Sequence, residues 1–299
     1  MKVRVDTKPL GGPLPRGREG ATVAVEPILT GTMRAPRAYL EAANRLTTLR
    51  MLGVGSPGVT IPIPAFVIHH PSAGPFLVDT GLHASVASSP TENLGRFFGS
   101  GRASPRIEAG QDLPAQLRAR GVDSKSVKLV VMTHMHFDHT SGMSQFPGAT
   151  FVITDAEWEA ATGEARPTLH GYRQAHFDYA FDYRTISYDA QSVSSYANFG
   201  RTFDLFGDGS VRLASTPGHS AGHQSVICRL RDRDLVIAGD AIYTIGQLSD
   251  AAEPPRPEDR HNWQRSMREL RQFARTYPQA VIIPGHDWGH WKTLEKRYE

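Results

Sequence analysis

The chain has little sulfur, little charge bias and no long apolar run, and each shortage removes a class of function. Cys228 is the one cysteine in 299 residues, so no disulfide can form within the chain and no Cys-x-x-Cys motif is on offer. It lies in the apolar stretch Ser225-Val-Ile-Cys-Arg-Leu230, where a buried structural thiol is expected. No apolar run approaches the length of a membrane span. Met1-Lys-Val-Arg-Val-Asp lacks the apolar core of a signal peptide, so the expected location is the cytoplasm, with no membrane partner. Lys and Arg number 33 against 30 Asp and Glu, a formal charge of +3. The charges interleave, as in Arg229-Leu-Arg-Asp-Arg-Asp234, and form no basic stripe, so nucleic acid is not an expected partner. There is no phosphate-binding Gly-Lys-Ser/Thr loop. Gly53-Val-Gly55-Ser-Pro-Gly58 matches the letters of a dinucleotide fingerprint, but Pro57 and the β-rich Val59-Thr-Ile-Pro-Ile63 follow, whereas the fingerprint opens a helix. Hydrophobic content of 39% with 21% charged residues is that of a soluble globular protein.

What the chain does have is concentrated in Thr133-His-Met-His-Phe-Asp-His-Thr-Ser-Gly142. Three imidazoles (His134, His136, His139) and the Asp138 carboxylate fall within six positions, a density that suits zinc, iron or a related first-row ion. They follow Val127-Lys-Leu-Val-Val-Met132, which reads as a buried strand. If the chain stays extended, His134, His136 and Asp138 project together, and a turn returns His139 towards them. Three later segments deliver further donors at turns or strand ends: Thr216-Pro-Gly-His219-Ser-Ala-Gly-His223, Leu235-Val-Ile-Ala-Gly-Asp240 and Val281-Ile-Ile-Pro-Gly-His286.

His-x-His-x-Asp-His, then Gly-His, Gly-Asp and Gly-His in that order, resembles the metallo-β-lactamase superfamily, over roughly Val59 to His286. The resemblance implies an α/β fold, a four-layer αβ/βα sandwich with metals at one edge of the two sheets. It implies two divalent metal ions, zinc first with iron or cobalt accepted by the same set. One ion would be held by His134, His136 and His219, the other by Asp138, His139 and His286, with Asp240 bridging. Phe76-Leu-Val-Asp79-Thr-Gly81 matches the family's early strand-turn, whose Asp supports the ligands; His223 is expected in a similar supporting role.

The flanking residues narrow the resemblance. Tyr243, in Asp240-Ala-Ile-Tyr243, with His134-Met-His-Phe137-Asp-His and Gly-His219-Ser-Ala-Gly-His-Gln-Ser, is similar to the N-acyl homoserine lactonase branch. That implies opening of a lactone ring by a hydroxide shared between the metals. Asp138 would shuttle the proton, Tyr243 would donate to the developing oxyanion, and Phe137, Tyr243 and Met33 would contact the substrate. A small-molecule lactone or ester is then the substrate, and a homodimer is expected by analogy. Other ester, thioester or organophosphate hydrolases share the ligand set. A mononuclear-iron persulfide dioxygenase is the reading from a different class, separated by metal content.

For organisation, residues 1–20 read as a loose leader and 21–299 as one domain. Strands are expected at Thr22–Leu29, Ile61–His69 and Phe76–Asp79. A short helix is expected over Gln111–Arg120, closed by Gly121. Asp259 is placed to cap a helix carrying Trp263, Met267, Leu270, Ala274 and Tyr277 at helical spacing. Two segments resist periodicity. The aromatic-rich 155–203 reads either as a cap over the site or as a small separate core, and 30–51 as a second wall or an amphipathic dimer helix. His69, His70, His83, His170, His176, His261 and His290 show no ligand spacing, and most are expected at the surface.

Overall fold

Alternation along the strands builds the fold. In the computed structural model, which describes residues 5–40, 58–99, 104–249 and 257–299, strand β3 (Gly58–His70) sends Phe66 and Ile68 into one apolar cluster and Ala65 and Val67 into another. That is the period of two a strand requires when both its faces are covered. One sheet has the order β1 (Lys8–Pro9), β7 (Asp182–Ile186), β6 (Thr150–Thr154), β5 (Leu129–Val131), β4 (Gly74–Val78), β3, β2 (Ala24–Pro36). It is parallel from β1 to β4 and antiparallel from β4 to β2. The second sheet runs β13 (Val281–Pro284), β12 (Asp234–Gly239), β11 (Gln224–Arg229), β10 (Val211–Ser215), β9 (Phe199–Asp204), β8 (Val193–Tyr196). It is antiparallel apart from β12–β13.

The sheets share a core of Phe66, Val78, Val131 and Val152 against Leu213, Val226, Cys228 and Ile237. After helix α1 (Pro90–Gly99), the outer face of the first sheet is covered by helices α2 (Leu113–Ala119) and α4 (Asp155–Gly163), which bury Leu113, Leu117, Trp158 and Ala161. The outer face of the second is covered by α5 (Arg260–Thr276) through Trp263, Met267, Leu270 and Phe273. The four-layer αβ/βα sandwich expected from the resemblance is therefore the fold. Asp259 caps α5 by accepting from Asn262 N–H at 2.9 Å. The apolar stripe gains Phe273, and Tyr277 falls at the C-cap.

Several expectations change. Residues 6–20 are docked rather than loose: Lys8–Pro9 pair with β7, and Leu10 and Leu14 pack on the inter-sheet core. The strand expected over Thr22–Leu29 continues to Pro36, which makes Met33 a strand residue. The rest of the 30–51 segment, beyond Leu40, and most of the Gly53–Gly58 stretch lie outside the described residues. The 155–203 segment is not a separate core, and its Gly171–Tyr172 turn lies against His136, with the Gly171 carbonyl accepting from the Phe137 N–H at 2.9 Å. The segment supplies α4, β7, β8 and most of β9, and its aromatics divide among three cores: Tyr172, Phe177 and Tyr183 in one outer core, Phe199 in the other, and Phe203 in the core between the sheets. A segment shared among four elements carries no single period. Among the described residues no helix is long and apolar enough to cross a membrane.

Candidate metal centre

The C-terminal ends of β4, β5, β10, β12 and β13 all meet at one edge of the sandwich. The segments leaving them carry Asp79, His134 to His139, His219, Asp240 and His286. Ligand-bearing loops at the carboxyl ends of strands are a general property of open α/β sheets. β5 stops at Val131, and the chain turns at Phe137 into a single helical turn, α3 (Phe137–Thr140). Asp138 and His139 are thus helical neighbours and not part of an extended strand end, which corrects the alternating-face expectation for Asp138. The helical turn still brings His139 under His134, ring centroids 4.1 Å apart.

All seven donors expected as ligands converge. His219 Nε2 lies 3.1 Å from His134 Nε2 and 2.9 Å from His136 Nδ1. His286 Nε2 lies 3.6 Å from Asp138 Oδ2, and His139 Nε2 3.8 Å from the same oxygen. Asp240 stands between the groups, with Oδ2 3.4 Å from His219 Nε2 and 3.1 Å from His286 Nε2, and Oδ1 3.6 Å from His139 Nε2. Gly285 lets it stand there, since a side chain at 285 would overlap Asp240 Oδ1.

The outward nitrogens decide which lone pairs face inward. His139 Nδ1–H donates to Asp79 Oδ2 at 2.7 Å, and His286 Nδ1–H donates to the Pro62 carbonyl at 2.9 Å. Thr133 Oγ1–H donates to Asp79 Oδ2 at 2.8 Å and accepts from His134 Nδ1 at 3.1 Å. His219 Nδ1 is 2.9 Å from Tyr243 Oη. Each arrangement turns the ring's other nitrogen inward, where a cation can take the place of a proton. His139 Nε2 and Asp240 Oδ1 are buried and have no hydrogen-bond partner. Two facing orphaned atoms of this kind fit a metal ion better than any protein donor.

Charge divides the centre. Burial, reinforced by the crowding of the other imidazoles, holds His134 and His219 well below the ordinary histidine range, and burial brings His136 down to about 4. These are neutral rings. Burial also opposes a proton on His139, but Asp79, Asp138 and Asp240 outweigh it and hold that ring well above the usual value. Burial is likewise overcome by Asp240 and Asp138 at His286, which rises to about 8. Asp240 is held far down despite burial by His286, His219 and His139. The His139–His286 side is thus the one where positive charge is most strongly favoured.

His223 Nε2 accepts from the Asp240 N–H at 3.0 Å, and its Nδ1 is 2.9 Å from Thr216 Oγ1. It therefore holds the Asp240 backbone, and with both ring nitrogens hydrogen-bonded it leaves none for a metal although its ring lies 5.1 Å from that of His134. Phe137 stacks on Phe98, centroids 4.0 Å apart at 13°. Met33 packs on the same cluster with Ile63, Leu82, Val86 and Leu94. Two of the histidines read as surface residues are buried: His70 against Asp208, and His176 between Thr140 Oγ1 and the Asn93 carbonyl. Sequence reasoning missed Thr133, the Pro62 carbonyl and Glu157, whose carboxylate accepts from Met135 N–H, Ser220 Oγ–H and Gly222 N–H. Only Glu157 left a local trace, as the third residue after the capping Thr154. Gly218-His-Ser220-Ala-Gly222 also has the letters of a nucleophilic-serine elbow, but Ser220 is fully buried with its hydroxyl spent on Glu157.

The sequence profile of the metallo-beta-lactamase superfamily matches residues 60–286. An N-acyl homoserine lactonase of Agrobacterium fabrum is 32% identical over 240 residues, 80% of this chain and 87% of that protein. A solved N-acyl homoserine lactone hydrolase, with its product N-hexanoyl-L-homoserine at the catalytic metal centre, shares the fold with a TM-score of 0.71 at 20% identity. The match covers 94% of this chain and 98% of that one. A dizinc quorum-quenching lactonase in complex with the same type of product has a TM-score of 0.57 at 16% identity, over 92% of this chain and 90% of that one.

Proposed function

The chain belongs to the metallo-β-lactamase superfamily, and from that premise we propose that it hydrolyses the lactone ring of N-acyl homoserine lactones with two divalent metal ions. The observation that carries the metal requirement is the buried pair Asp240 Oδ1 and His139 Nε2, which face each other at 3.6 Å with neither atom in a hydrogen bond. We assign His134, His136 and His219 to the first ion and Asp138, His139 and His286 to the second, with Asp240 shared. These groupings coincide with sets of donor atoms lying within 4.8 Å of one another. Imidazole with carboxylate favours zinc, and iron or cobalt suits the same donors. When bound, such ions lower the pKa of water towards neutrality and polarise the ester carbonyl.

The chain's own residues do the rest. His219, presenting Nε2 inward, donates through Nδ1–H to the Tyr243 oxygen. We assign the Tyr243 O–H to the substrate oxygen on which charge develops. Asp138, beside both His139 and His286, carries the proton to the departing alkoxide. The stacked Phe137–Phe98 pair with Met33 offers an apolar wall for the acyl chain. A lactone is favoured over a thioester or phosphoester by the 32% identical lactonase relative together with Tyr243 at the edge of the donor cluster. A homodimer in the cytoplasm is part of the same reading, tested by sedimentation and cell fractionation.

The experiment is acid release from short- and long-chain N-acyl homoserine lactones. The expected result is rapid release that a chelator stops and added metal restores. A protein holding two ions that releases no acid from any chain length would overturn the lactone assignment and send the search to thioesters and phosphoesters. Tyr243→Phe should lower turnover with both ions retained, and unchanged turnover would remove the oxyanion role.

A further inference from the structure

Glu157 belongs to a helix that carries no metal donor, yet its carboxylate reaches into both loops that supply the first donor group. Oε1 accepts from the Met135 N–H at 2.9 Å. Oε2 accepts from Ser220 Oγ–H at 2.7 Å and from the Gly222 N–H at 2.9 Å. Met135 separates His134 from His136, and Ser220 follows His219. Each of the three imidazoles is therefore one residue from a group held by the same carboxylate. We propose that Glu157 is a positioning residue, the one that sets the spacing of His134, His136 and His219 and so the affinity of that site for its ion. The proposal rests on the two-metal reading above.

The local structure supports a dedicated brace. Thr154 caps α4 and accepts from the Glu157 N–H at 3.1 Å. Sequence logic would then send the Glu157 side chain back to the cap, but it goes to the two loops instead. Thr154 Oγ1–H donates to the Gly222 carbonyl at 2.7 Å, so Gly222 is gripped at both its N–H and its C=O. A side chain at Gly222 would overlap Thr154 Oγ1 and the Glu157 nitrogen, so the loop lies directly on the helix end. The helix end is itself fixed, because Trp158 and Ala161 are locked into the outer core. Glu157 is wholly buried, a costly place for a carboxylate without donors. Here three donors from two ligand loops meet it.

Gln tests the idea at constant shape. It has one accepting oxygen, and its NH2 only donates, so at least one of the three donors must face another donor. The full chain is stripped of metal and titrated with Co²⁺ or Zn²⁺ against a chelator. The titration is done with and without Glu157→Gln in two backgrounds: His286→Ala, which isolates the first site, and His136→Ala, which isolates the second. We expect affinity to fall about 10–100-fold in the His286→Ala background, with an altered Co²⁺ spectrum, and to stay unchanged in the His136→Ala background. The melting temperature of the metal-free protein should fall by the same amount in both backgrounds, so that a loss of affinity confined to one of them is not a loss of folding. Equal losses of affinity in both backgrounds, or no loss in either, overturn the proposal. Should Glu157→Gln not fold, Ser220→Ala removes a single donor and carries the same comparison with a smaller loss. A wild-type chain that takes up fewer than two ions overturns the two-metal reading itself, a result separate from any difference between variants.

Discussion

Two histidines are buried against aspartates at opposite ends of one sheet, and their second nitrogens differ. His70, the last residue of β3, accepts through Nδ1 from the Ser72 and Ala73 N–H groups at 3.2 and 3.0 Å, and its Nε2–H donates to Asp208 Oδ2 at 3.0 Å. His139 donates through Nδ1–H to Asp79 at 2.7 Å, while its Nε2 is buried and has no hydrogen-bond partner. Burial beside a carboxylate therefore does not separate a strut from a candidate ligand; the other ring nitrogen does. His70 has spent both nitrogens joining the β3–β4 turn to the β9–β10 loop. His139 has spent one, and the other points at Asp240.

Variants can test how far that contrast holds, beginning with the largest effect. Asp240→Ala removes the group between the two donor sets and should cost at least one ion per chain. Lactone turnover should fall on the order of a thousandfold, read by metal analysis beside the acid-release assay. Full occupancy with full activity would refute the shared-ligand assignment. Asp79→Asn keeps the shape but weakens the grip on His139 and Thr133, and metal affinity should fall about 10–100-fold in a chelator competition. At the other end, His70→Ala should cost about 2–3 kcal/mol of stability by leaving Asp208 short of a buried partner, while metal content stays at the wild-type level. Loss of metal from this variant would erase the distinction between strut and ligand.

The smallest effect concerns acid. Although burial opposes it, hydrogen bonds from Ser210, Arg18 and His70 bring the Asp208 carboxyl down to about 2 from 3.8. A folded-state value below the unfolded one gives stability that is present above the unfolded pKa and lost as pH falls through the folded one. Asp208→Asn should therefore flatten the decline in stability between about pH 4 and pH 2, followed by chemical denaturation. An acid limb identical to wild type would place that decline elsewhere.

How much of this could be read from the chain varied with distance along it. The donors from His134 to His139 fall within six positions and announce themselves. Asp240 and His286 were legible because each ends a short apolar strand at a glycine. The Asp259 cap and the α5 stripe follow rules that act within a turn or two of helix. Asp79 needed the resemblance, because nothing local says that its backbone will take the left-handed φ of 59° or that its side chain will meet residues beyond Val131. Glu157 was invisible as a brace, since its partners lie 22 to 65 positions away. The aromatic stretch 155–203 carries no single period because its rings serve three different cores.

The sequence by itself determined the donor set and the order in which strands would deliver it, because hydrophobic period and ligand chemistry are local properties; the sandwich followed only from the family resemblance those motifs carry. The tertiary structure alone decided which nitrogen of each imidazole faces inward, that His70 is a strut, and that one helix carboxylate grips two ligand loops. Those outcomes depend on which hydrogen-bond partners meet once the sheets close, and no short-range pattern in a chain encodes that meeting.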